Sequence, residues 1–172
     1  SLENQTHHLL NTSLCFGKKL KVMLVDPLEE YRSYSEKVST YISSKKEISE
    51  IAQQLIFEVN RRLEGDLYSD WLIKVIVEHG LSEKDLDFLF KNGLRVGLHF
   101  VIGGEYSYIG NNIHEVPKYL KSNAQWVMLG MRLMDQMFLD KPYNNREARL
   151  ELDEVYLHDR KQAVKLKITK ND

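Results

Sequence analysis

Four short apolar runs, each ending on a polar or glycine-bearing turn and separated by helical patterns, most constrain what this chain can fold into. They are Lys21–Asp26, Trp71–Glu78, Leu98–Gly103 and Ala124–Gly130. Apolar runs alternating with helical patterns predict an α/β fold with a mostly parallel sheet and crossover helices. Trp71–Val77 is broken only by Lys74, which suits a strand covered on both faces. The clearest helical pattern is Glu47–Leu63, where Ile48, Ile51, Ala52, Leu55, Ile56, Val59 and Leu63 recur at three and four. Glu58 and Arg62 are four apart and are expected to pair on its exposed side, worth about 0.3 kcal/mol. Asn4–Phe16 carries a weaker stripe of Leu9, Leu10, Leu14 and Cys15, closed by Gly17. Ser82–Asp85 resembles a capping box and starts a helix through Leu86, Leu89 and Phe90, stopped at Asn92-Gly93. Further short helices are expected at His114–Leu120 and Arg132–Leu139. After Pro142, Glu154–His158 and Ala163–Ile168 alternate and predict a terminal β-hairpin. No internal repeat appears, and residues 1–172 are expected to form one domain.

Charge and composition remove several function classes. The formal net charge is -1, against the clearly basic face usual in nucleic-acid binding, so no nucleic-acid partner is expected. A lone Cys15 excludes an internal disulfide, and its apolar surroundings predict a small core residue. No run approaches the roughly 18 apolar residues of a membrane-spanning helix, so no membrane insertion by this segment is expected. The polar, abrupt start suggests a C-terminal fragment of a larger protein. The histidines show no H-x-x-x-H spacing and no C-x-x-C occurs, so no metal site is expected. G-x-S-x-G is absent as well.

Ligands of open parallel sheets bind beyond the carboxyl ends of the strands. That edge should carry Asp26, Glu78, His79, Gly103, Gly104 and Glu105. A nucleotide hydrolase needs a lysine and helix-start amides for phosphate, a hydroxyl for Mg²⁺, and an acid after an apolar strand. The phosphate loop G-x-x-x-x-G-K-[ST] occurs nowhere. Thr6 could take the hydroxyl position, with Gln5 in place of lysine and Asn4 in place of glycine; Glu78 stands where the acid belongs. Gln5 is neutral and cannot offset phosphate charge. The expected site is therefore a degenerate one, built of Asn4, Gln5, Thr6, Asp26 and Glu78. Thr6 reads more readily as a helix N-cap, and each carboxylate taken singly as a solvated strand end. Tyr31, Tyr34, Tyr41, Tyr106 and Tyr108 follow strand ends, beside Leu28 and Ile109. Tyr31, Tyr34, Tyr106, Tyr108 and Ile109 are candidate contacts for a protein partner, since tyrosine is apolar on its body and polar at its tip. Loop packing is the competing reading.

With these residues in place, the chain resembles the FtsK/SpoIIIE-type motor family. The matching segments are Lys21–Pro27, Glu47–Arg62, the strand before Glu78, Arg95–Gly104 as a sensor strand, and Ile113–Leu139. More narrowly, their order is similar to the last ATPase-like domain of type VII secretion coupling proteins of the EssC/YukB kind. The resemblance implies a RecA-like, P-loop NTPase-type fold. Working family members carry Lys and Asp where this chain has Gln5 and Glu78. The resemblance therefore implies a non-hydrolysing domain with no cofactor of its own, which recognises secreted helical-hairpin proteins or regulates neighbouring ATPase domains of the same chain. Its place would be the cytoplasmic side of the membrane, within a membrane-anchored protein. The alternative is an active translocase domain that binds ATP and Mg²⁺ through a loop partly upstream of Ser1.

Overall fold

The computed structural model describes residues 2–65, 71–77, 83–104, 118, 120–122, 124, 126–136, 139, 147–159 and 161–168. The chain groups into two compact units, Thr6–Gly104 and Ser1–Gln5 with Glu105–Asp172. In order the elements are α1 (Leu2–Leu14), β1 (Leu20–Val25), β2 (Thr40–Ile42), α2 (Lys45–Leu63), β3 (Trp71–Val77), α3 (Glu83–Gly93), β4 (Leu98–Gly103), β5 (Val127–Leu129), β6 (Glu154–His158) and β7 (Ala163–Lys167).

The unit Thr6–Gly104 is built on a four-stranded sheet of order β2-β1-β3-β4 in which every pairing is parallel. Strand alternation divides its core. Val22 and Leu24 pack with Leu10 of α1 and with Tyr31 and Tyr34. Met23 points the other way, to Leu55 and Val59 of α2, Leu89 of α3, Val96 and Leu98. Helices therefore cover both faces of β1. Gly17 ends the α1 segment at φ 59 and Gly97 turns the chain into β4 at φ 81, both in the left-handed region that glycine enters without strain.

Local chemistry sets the ends of α2. Ser44 Oγ accepts from the Glu47 amide at 3.3 Å, and the Glu47 carboxylate accepts from the Ser44 amide at 3.2 Å. This capping box begins the helix two residues before the predicted Glu47. At the other end the Glu58–Arg62 pair is not exposed as expected. Arg62 is 6% exposed, with Nε 2.6 Å from Glu58 and Nη1 donating to the Val96 carbonyl at 3.1 Å. Arg62 lies on the side of α2 that meets the 94–96 turn, whose carbonyl needs a buried donor. Hydrogen bonds from Arg61 and then Arg62 outweigh burial and hold the Glu58 carboxyl down at about 2. Cys15 is a second correction. It is exposed, because it follows the last helical turn of α1, where Leu10 already fills the core.

The other unit carries an antiparallel sheet of order β5-β6-β7. The predicted hairpin is present, with Glu154 opposite Lys167 and His158 opposite Ala163. The run Ala124–Gly130 does not add a fourth parallel strand. Its strand part, Val127–Leu129, pairs antiparallel with β6. An apolar run encodes a buried strand but not the direction of its neighbour, and the short β2 at Thr40–Ile42 takes the fourth place in the parallel sheet. The described part of 132–139 holds one 3-10 turn, Leu133–Asp135, in place of a helix. Of 114–120, residues 118 and 120 are helical; the rest, together with Ser82, lie outside the described residues.

Candidate functional site

Asp26 closes the carboxyl end of β1 and organises the loop that follows it. It is buried. Oδ2 accepts from the Tyr31 amide at 2.8 Å and the Tyr41 hydroxyl at 2.9 Å; Oδ1 accepts from the Glu30 amide at 3.1 Å. Burial first, then the hydrogen bond to Asp26, pushes the Tyr41 hydroxyl up to about 12. Glu29 sits in this turn at φ 56, a conformation costing about 1 kcal/mol for a non-glycine residue. Its carboxylate is tied to Arg32 at 3.0 Å and to the Ser43 hydroxyl at 3.1 Å.

The loop then folds back on α1. Tyr31 is fully buried and meets the His7 ring edge-on at 5.3 Å between centroids. The Tyr34 hydroxyl donates to Asn11 Oδ1 at 3.1 Å and lies 2.9 Å from His7 Nδ1. With its proton given to Asn11, the hydroxyl accepts from His7, which assigns the proton to Nδ1. Burial raises the Tyr34 hydroxyl above its ordinary range, against the bond to Asn11. Lys37 Nζ lies 5.3 Å from the Tyr34 ring centroid. Tyr31 and Tyr34 were expected to present themselves to a partner. They are instead the cover over Leu10, Val22 and Leu24, and Leu28 beside them stays exposed.

Asn4, Gln5 and Thr6 all lie within α1, so Thr6 is an interior helical residue and not an N-cap. Gln5 and Thr6 are both buried. In the unit that contains Gln5, its Nε2 lies 3.3 Å from where a Cβ would stand on Gly130, so a glycine there leaves room for the amide. Glu78, Tyr106, Tyr108 and Ile109 lie outside the described residues.

The same unit holds a polar corner that the sequence reading did not single out. Gln136 is fully buried; Nε2 donates to the Leu133 and Leu139 carbonyls at 3.2 Å each and Oε1 accepts from the Leu139 amide at 2.6 Å. Glu147 accepts from the Leu133 and Met134 amides at 3.1 and 3.2 Å and from the Tyr156 hydroxyl. Burial and this bond push Tyr156 up to about 12. The alternation of Glu154–His158 was the available signal for Tyr156; no local pattern marks Gln136 or Glu147. Among the described residues no group of three or more His, Cys, Asp or Glu could hold a metal ion, and no helix is long and apolar enough to cross a membrane.

A parallel sheet with helices on both faces and a terminal antiparallel hairpin is the RecA-like, P-loop NTPase-type fold. Solved structures bear this out at the level of fold. The cytoplasmic domain of EssC aligns over 99% of this chain and 38% of its own, with a TM-score of 0.71 and 16% identity. EssC ATPases 2 and 3 from Geobacillus thermodenitrificans align over 99% and 35%, with a TM-score of 0.69 and 15% identity. The pCW3 conjugation coupling protein TcpA, solved with ATPγS, aligns over 96% and 56%, with a TM-score of 0.64 and 14% identity. In sequence the chain is similar to the type VII secretion system protein EssC of Staphylococcus aureus (strain MRSA252), 21% identical over 175 residues. That match takes in 97% of this chain and 12% of the relative's length. No protein-family profile matches the chain.

Proposed function

We propose that this chain is a non-hydrolysing, ATPase-like domain of a type VII secretion motor on the cytoplasmic side of a membrane. It recognises secreted helical-hairpin proteins or regulates neighbouring ATPase domains of its own chain, and holds no nucleotide itself. The observation that carries this reading is Gln5. Gln5 is a buried, neutral amide, and by the sequence resemblance it takes the place of the phosphate-loop lysine in a chain similar along 97% of its length to EssC. Asp26 supports the same reading, since the loop amides and Tyr41 occupy its oxygens. Tyr106, Tyr108 and Ile109 are the partner contacts proposed, as apolar residues able to receive the face of an amphipathic helix. An active, nucleotide-holding domain is the second reading, favoured by the fold shared with a coupling protein solved with ATPγS.

The test is binding of purified secreted helical-hairpin proteins to the domain, beside ATP turnover by adjoining ATPase domains with and without it. The expected result is association at about micromolar Kd, near -8 kcal/mol, weakened in Tyr106→Ala/Tyr108→Ala, or a change in the neighbours' turnover. Absence of both association and any effect on turnover would refute the proposal.

A further inference from the structure

We draw no further inference here: the strongest candidate, the apolar side of the β5-β6-β7 sheet on which Met128, Leu157, Val164 and Leu166 align and Val164 and Leu166 are exposed, carries nothing because nothing in the structure shows what covers it.

Discussion

The two units hold themselves together by different means. In Thr6–Gly104 the apolar core runs on both faces of β1, from Leu10 and Leu24 on one side to Met23, Leu55 and Leu89 on the other. In the unit containing Glu105–Asp172, the buried hydrophobic residues among those described are Leu129 and Val155, and much of the order comes from buried Gln136 and from Glu147. Both units nevertheless fasten a loop with a carboxylate that takes two backbone amides and one tyrosine hydroxyl: Asp26 with Tyr41, and Glu147 with Tyr156. Among the described residues, the first unit is ordered mainly by area removed from water and the second mainly by directional bonds.

Substitutions that strike one kind of support should separate the units. The largest effect is expected for Leu24→Ala, which opens a cavity in the apolar core and should cost about 3 kcal/mol in chemical denaturation. Gln136→Ala comes next, at about 2 kcal/mol, because it strands two buried carbonyls and an amide. Amide exchange should place its effect at 133–139; a loss spread over Thr6–Gly104 would break the comparison. Tyr41→Phe and Tyr156→Phe should each cost about 1.5 kcal/mol, by removing a bond to a charged group. They also sharpen the comparison in alkali. Both hydroxyls titrate near 12 when folded, against an ordinary 10.0. A raised folded value gives stability that is complete below pH 10 and lost as pH rises through 12. Each Phe variant should lose stability less steeply over that window than the unmodified chain. Ser44→Ala, which removes one half of the α2 capping box, should have the smallest effect, about 1 kcal/mol.

Most of the parallel unit was legible in the sequence because its signals are local. The stripe from Ile48 to Leu63 marks α2, and the apolar runs give β1, β3 and β4. What escaped depends on contacts between distant segments. Thr40–Ile42 is too short to alternate convincingly, yet it completes the sheet edge. Val127–Leu129 has strand character, but its antiparallel pairing with β6 is decided by register with His158 and Tyr156. Of the candidate site, Gln5 and Asp26 were singled out in the sequence, and both are buried polar residues in the structure. That Tyr31 and Tyr34 turn inward was not legible, since it rests on His7 and Asn11 meeting them from 23 to 27 residues away. Arg62 was misplaced for the same reason: its partner beyond the helix is the Val96 carbonyl.

The central claim is that the α1 corner does not hold a nucleotide. Isothermal titration of the chain with magnesium-ATP tests it most directly, alongside Thr6→Val. No saturable heat is predicted up to about 1 mM, where binding would be worth about -4 kcal/mol. Saturable, magnesium-dependent binding that Thr6→Val abolishes would contradict the account.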